Sequence, residues 1–226
     1  MIGRETWAVV LVKTFRLAKQ RLATVLDESQ RVHLAHSMLE DVLCALDACG
    51  EQLSGVIVVT ADEDAAALAR RYSAVVLMET AAVGLNEALA RVIDHLAARR
   101  EAGIIVVPAD LPHLSPFEIE EAVDLISRIP AVALVRASDG GTNLLACRPA
   151  GVIKPRFGPD SFNAHCVAAA RAGVTPTVLF APRLGLDIDR PDDLVAFMSL
   201  GSATRTHAYL STLDLPPSPS RFAQQC

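Results

Sequence analysis

Aromatic residues are scarce in this chain: Phe, Tyr and Trp together make up 4% of its 226 residues. A core must therefore be built from Ala, Val, Leu and Ile, and a hydrophobic content of 51% supplies them. No apolar run approaches the roughly 20 residues needed to cross a bilayer, so no membrane partner is expected. The opening segment MIGRETWAVV runs straight into strand-like sequence and lacks the layout of a signal peptide. The cysteines (Cys44, Cys49, Cys147, Cys166 and Cys226) form neither a C-x-x-C pair nor a metal-binding spacing. Reduced thiols in a cytoplasmic protein are the simplest reading. Positive charge is in deficit as well. A formal net charge of −5 argues against a general nucleic-acid binder. Neither G-x-x-x-x-G-K-[ST] nor G-x-G-x-x-G occurs, which disfavours P-loop and dinucleotide-fold chemistry.

What the chain does contain is a regular alternation. Trp7–Val12, Gly55–Thr60, Ala74–Met78 and Ile104–Val107 are continuous aliphatic runs suited to buried strands. Between them lie helical patterns over Glu28–Cys49, over Glu63–Arg71, and from near Gly84 to Arg100. Ser115, Pro116 and Glu118 form a capping-box signature that opens a further helix. Such alternation predicts an α/β fold, with a mostly parallel central sheet and helices on both faces. Further on, Ala131–Val135 and Asn143–Cys147 flank the glycine turn SDGGT, suited to a hairpin or an active-site loop. A short helix (Phe162–Ala172), a strand (Thr177–Phe180) and the segment LGLDIDRPDDL complete a domain over residues 1–200. Residues 201–226 are rich in Ser, Thr and Pro and are expected to form a mobile tail or a surface arm.

Three constellations could carry chemistry. Open parallel sheets bind ligands beyond the carboxyl ends of their strands, and VVPADLP sets Asp110 at such an end. Taken alone, Asp110 could be a turn or helix-capping residue. Asp187 and Asp189 alternate along an extended segment and so point to one side. They could be solvated edge charges, or with Asp110 they could suit a hard divalent cation such as Mg²⁺. The basic run KTFRLAKQRL, with Lys13, Lys19 and Arg21, follows the first strand where an α/β fold places a phosphate-binding loop. A solvated basic turn is the plainer alternative. In FGPDSFNAH, Gly158 and Pro159 turn the chain, and Asp160 or Ser161 opens a helix whose N–H groups could take a small anion or simply be capped.

In order along the chain, K-x-x-x-x-A-K-x-R-L, G-L-N-x-A-L, V-P-A-D-L-P, D-G-G-T-N, F-G-P-x-S-F and D-x-D-x-P-x-D-L together resemble the guanylyltransferases of coenzyme F420 biosynthesis. The resemblance covers roughly residues 7–198; D-G-G-T-N with F-G-P-x-S-F is its specific part. One departure is Leu11, where the family often has Pro before the Val-Lys pair. The resemblance implies a Rossmann-like nucleotidyltransferase sandwich. It also implies transfer of GMP from GTP to 2-phospho-L-lactate, phosphoenolpyruvate or 3-phospho-D-glycerate, with release of pyrophosphate. By it, Asp110 and Asp187 or Asp189 would hold Mg²⁺, while Thr142, Gly158 and Ser161 would hold the acceptor's phosphate and carboxylate. Lys13, Lys19 and Arg21 would face the triphosphate, and Asn86 the nucleoside.

Two other readings belong beside it. A molybdopterin or sugar-phosphate nucleotidyltransferase would carry L-x-A-G-x-x-x-R-x-G after the first strand, and WAVVLVKTFRL does not. A non-catalytic nucleotide-binding regulator would show a gap among the aspartates or basic residues, and none is seen. A homodimer is compatible with the Ala-rich helices but nothing requires one.

Overall fold

A computed structural model describes residues 5–79, 84–99 and 102–215. The end of the third expected helix at Arg100 and the PPSPS stretch lie outside these residues. The aliphatic runs form strands because their β-branched side chains can be buried on both faces of a sheet. Strands β1 (Thr6–Val12), β2 (Gly55–Thr60), β3 (Val75–Met78) and β4 (Gly103–Pro108) are mutually parallel. Strands β5 (Ala131–Arg136) and β6 (Thr142–Arg148) form the expected hairpin, and β7 (Thr177–Val178) pairs parallel with β5. The sheet order is β3-β2-β1-β4-β6-β5-β7, with β6 antiparallel to both neighbours. A mostly parallel sheet is thus confirmed, with one reversal inside it.

Helices α1 (Glu28–Asp47), α2 (Glu63–Arg71), α3 (Leu85–Ala97), α4 (Pro116–Leu125), α5 (Ser161–Arg171), α6 (Pro191–Leu200) and α7 (Arg205–Leu210) cover the two faces. One core layer joins Val10 and Val107 to Leu34, Met38, Leu39 and Phe197; the other joins Val9 and Val106 to Leu89, Ile93, Leu96 and Ala169. The helix starts follow from local chemistry. Asp62 Oδ1 accepts from the N–H groups of Asp64 and Ala65 and caps α2, and Glu118 reaches back to the Ser115 N–H at 3.2 Å.

Of the two forms expected for the segment after Gly201, a mobile tail or a surface arm, its described residues take the second, packed on α1. Residues 205–210 form α7, whose Thr206 and Leu210 are buried. Asp41 of α1 accepts from the N–H groups of Arg205 (2.8 Å) and Thr206 (2.9 Å), and Tyr209 stacks on His33. Only two side chains of one short turn point inward, so no periodicity betrays the helix; Thr204 caps it locally, and Asp41 adds two bonds from a distant element. Among the described residues no helix is long and apolar enough to cross a membrane.

Strand order reverses between β1 and β4: β1 leads outward to β2 and β3, and the chain then returns to β1's other side. Ligand crevices in open α/β sheets lie at such switch points, beyond the carboxyl ends of the strands.

Candidate active site

Two loops leave the sheet at the switch point, and the charges gather there. After β1 the chain makes two short 3₁₀ turns, Phe15–Leu17 and Gln20–Leu22. Phe15 is buried, and its N–H donates to Asp62 Oδ2 at 2.8 Å, tying the basic loop to the start of α2. Between the turns Lys19 adopts a left-handed conformation (φ 56°, ψ 32°), costly for a residue with a Cβ. That turn swings its side chain into the molecule, where only 4% of it is exposed. The Lys19 ammonium donates to Asp110 Oδ2 at 2.7 Å and to Asp189 Oδ1 at 2.6 Å. Arg21 adds a looser pair, 3.6 Å from Asp189 Oδ2.

The surrounding cavity encloses about 940 Å³. Lys13, Lys19, Arg21, Asn86, Asp110, Gly158 and Asp189 line it, with Phe15, Leu17, Ala35, Met38 and Leu85 as apolar walls. A polar floor with apolar sides of this size suits a ligand carrying both a charged group and a flat ring.

Acid and base are balanced tightly. Burial alone would lower the Lys19 pKa, but the facing carboxylates of Asp110 and Asp189 outweigh it and raise it. Burial pushes the Asp189 carboxyl up, and Lys19 with Arg21 and Lys13 more than reverses this, so it lies below the usual range. Asp187 goes the other way. Burial, with the nearby charge of Asp110, pushes it up to about 6. Ile188 between the two acids is buried in the core, so Asp187 and Asp189 share the opposite, half-exposed side. Their segment is pinned from behind: buried Asn143 of β6 donates to the Leu184 carbonyl at 2.6 Å, and the Ser138 N–H to that of Gly185 at 3.0 Å. Asp193 of α6 accepts from the N–H groups of Asp189 and Arg190.

Among the described residues no three His, Cys, Asp or Glu side chains are drawn close enough to hold a metal ion. The Lys19 ammonium stands between two of the carboxylates instead. The donor set nevertheless fits a hard dication, since all its ligands would be carboxylate oxygens.

A second group lies at the turn before α5. Gly158 (φ 137°) and Asp160 (φ 54°) shape that turn, and only Gly158 reaches the cavity wall alongside Phe157. Thr142, which starts β6, and Ser161, which starts α5, meet at 3.1 Å but are buried behind the turn, 5% and 2% exposed. Antiparallel β6 begins at the sheet edge where β4 ends, with Val106 of β4 facing Leu145. His165, buried one turn along α5 from Ser161, bonds Thr142 Oγ1 through Nδ1 at 3.0 Å. Its Nε2 accepts the Arg156 N–H at 2.9 Å. Asn86 pairs with the backbone of Phe157 through both ends of its amide, each bond 2.8 Å.

Of the residues anticipated from sequence, Lys13, Lys19, Arg21, Asn86, Asp110, Gly158 and Asp189 share one cavity, and Asp187 adjoins it electrostatically. Thr142 and Ser161 form a separate buried pair. Asn143 and His165 were not singled out. The spacing of Ser161 and His165, four apart on a helix, was the one available signal for the latter.

Comparison with known proteins gives the family. A family model described as guanylyl transferase CofC like matches residues 6–225. A phosphoenolpyruvate guanylyltransferase of Roseiflexus castenholzii is 40% identical over 191 residues, 84% of this chain and 87% of the relative. A 2-phospho-L-lactate guanylyltransferase of Methanothermobacter thermautotrophicus is 33% identical, covering 96% and 95%. A 3-phospho-D-glycerate guanylyltransferase of Phenylobacterium zucineum is 35% identical, covering 91% and 95%. Among solved structures, a nucleotidyl transferase from Methanothermobacter thermautotrophicus superposes with a TM-score of 0.62 at 17% identity, over 93% of this chain and all of that one. At that identity it shows the fold, an α/β nucleotidyltransferase sandwich. The match over nearly the whole chain and these relatives make the chain a member of the CofC-like guanylyl transferase family.

Proposed function

We propose that the protein transfers GMP from GTP to a phosphorylated three-carbon acid and releases pyrophosphate. The observation that carries this reading is the meeting of Lys19 with Asp110 and Asp189 at the floor of a cavity on the β1/β4 switch point. An acceptor phosphate oxygen would attack the α-phosphorus of GTP, forming a new P–O–P bond as the α–β bond breaks. The acceptor's phosphate monoester has a second pKa of about 6, so it arrives anionic at neutral pH and needs no general base. The chemical problem is repulsion among phosphates, and positioned positive charge solves it.

In this proposal Lys13, Lys19 and Arg21 face the triphosphate. Asp110, with Asp187 and Asp189, would hold Mg²⁺, which would supply charge neutralisation at the transferring phosphoryl group. Lys19 already orients two of these carboxylates. Gly158 at the cavity wall, with the Thr142–Ser161 pair buried directly behind it, would receive the acceptor, and Asn86 would fix the wall between acceptor turn and nucleoside. Three relatives at similar identity are named for three different acceptors, so the three-carbon class is proposed rather than one member.

The test is to incubate the protein with Mg²⁺, one of the four nucleoside triphosphates, and phosphoenolpyruvate, 2-phospho-L-lactate or 3-phospho-D-glycerate, following pyrophosphate. Release is expected with GTP and at least one acceptor. Silence across the whole panel, or equal release with CTP, would overturn the reading.

A further inference from the structure

The hydrogen bonds around His165 dictate which way the hydroxyls of Thr142 and Ser161 can point. A backbone N–H can only donate, so the Arg156 N–H at 2.9 Å requires a lone pair on His165 Nε2. The ring is therefore neutral, and its hydrogen sits on Nδ1. Burial, which lowers the His165 pKa to about 4, agrees with this state. Nδ1 must then donate to Thr142 Oγ1, 3.0 Å away.

The consequence lies in counting hydrogens. Thr142 and Ser161 together own two hydroxyl hydrogens, and one of them fills the 3.1 Å bond between them. Because His165 supplies its own hydrogen to Thr142, the other is left over, whichever hydroxyl bears it. The opposite tautomer would reverse this. Thr142 would donate to the ring and Ser161 to Thr142, and the pair would show only lone pairs, which repel an anion.

We propose that His165 is a positioning residue for the acceptor: by donating to Thr142 it keeps one hydroxyl hydrogen of the Thr142–Ser161 pair free for the acceptor's anionic group. This rests on the acceptor site proposed above. Arg156 is part of the device, since its N–H selects the tautomer. The same two-residue stretch is held from the other side by the Asn86 amide on Phe157. The turn and the polarity of the hydroxyls are thus fixed together.

Two variants separate this role from mere packing. Asn at 165 can place an amide hydrogen near the Nδ1 position; Leu has similar bulk and no donor. Loss of one hydrogen bond to a charged group corresponds to roughly a ten- to hundredfold loss of affinity. His165→Leu is expected to raise the acceptor KM by about that factor, with the GTP KM within about twofold. His165→Asn should recover most of the difference. Equal damage by both variants, or equal weakening of both substrates, would overturn the proposal. A wild-type enzyme silent on every acceptor would instead sink the reading it rests on. Should either variant fail to fold, ¹⁵N-histidine spectra of the wild-type protein decide the matter. A neutral Nδ1–H ring at pH 7 supports the proposal, and an Nε2–H ring or an imidazolium overturns it.

Discussion

At the scale of single residues, the Lys19 ammonium governs the site. It is buried, clamped by two carboxylates, and reaches them from a left-handed backbone position. Asp110 therefore has a buried partner, which its place at a strand tip did not foretell. Asp110→Asn keeps shape and removes one of the two charges facing Lys19. Turnover should fall at least about a hundredfold, the cost of one strong electrostatic contact at a reacting centre. Asp189 still pairs with the ammonium and the site is partly open to water, so the stability loss should be only about 1 kcal/mol. Pyrophosphate release and Tm measured on the same sample check both; normal turnover would remove Asp110 from the chemistry. His165 yields a different prediction. Its ordinary pKa is 6.5 and burial lowers it to about 4 in the folded state. Between these values the unfolded chain binds a proton that the folded one refuses. Stability is thus complete above about pH 6.5 and drains away as pH falls toward 4. At pH 5 the deficit from this group is roughly 1–2 kcal/mol. Burial also lowers His36 and His113, so the check is the difference between wild type and His165→Asn, which should be flatter from pH 7 to 5.

At the scale of elements, legibility followed the range of the forces. The strands β1, β2 and β4 were visible because each is a continuous aliphatic run, and α2 because its Ala-rich turn opens with its own capping Asp62. The hairpin was visible in its glycines. Thr177–Phe180 was read as a longer strand than β7 proves to be, because Phe180 turns out to solvent, 92% exposed. What stayed hidden depends on partners that only folding brings together. Lys19 meets acids 91 and 170 residues away, and His165 acquires its meaning from Arg156 and Thr142. Helix α7 is a further case: Thr204 caps it locally, but its first two N–H groups are held by Asp41, 164 residues upstream of Arg205. Truncation after Gly201 should therefore destabilise, by roughly 3 kcal/mol or more. Leu210 loses its burial, and Asp41, buried in α1, loses both N–H partners. The melting temperature should drop by roughly 6–12 °C. Turnover of the molecules still folded is expected to persist, since none of the residues lining the cavity comes from α7. An unchanged melting point would show that α7 contributes nothing.

At the scale of the whole molecule, the cavity and the Thr142–Ser161 pair rest on different supports. Lys13 to Arg21 and Asp110 follow the ends of parallel strands β1 and β4, in contact with the larger core layer under α1. Thr142, Ser161 and His165 belong to the hairpin and α5. Ligands that engage only the folded state must stabilise it. At a hundred times its Kd, GTP with Mg²⁺ should add about 2.7 kcal/mol. For a chain of this length that is a rise in Tm of roughly 5–10 °C. A thermal-shift titration without acceptor reads it directly, and no rise at saturating nucleotide would count against the cavity as the nucleotide site.

The reversal of β6 has a consequence for how such an enzyme can change its diet. Every other paired strand of the sheet finishes at the catalytic edge, whereas β6 begins there. Its first residue, Thr142, and the Ser138–Gly141 turn before it form a loop between neighbouring strands, outside the parallel frame that carries Lys19 and Asp110. That loop and the turn at Gly158 are joined to each other by the Phe162 N–H on the Gly140 carbonyl, and to the acid segment by the Ser138 N–H on the Gly185 carbonyl. On the proposed function, acceptor preference would be a fitting mounted on a fixed engine: a close relative's hairpin and α5 turn, transplanted as one piece, should carry its choice of acid with them.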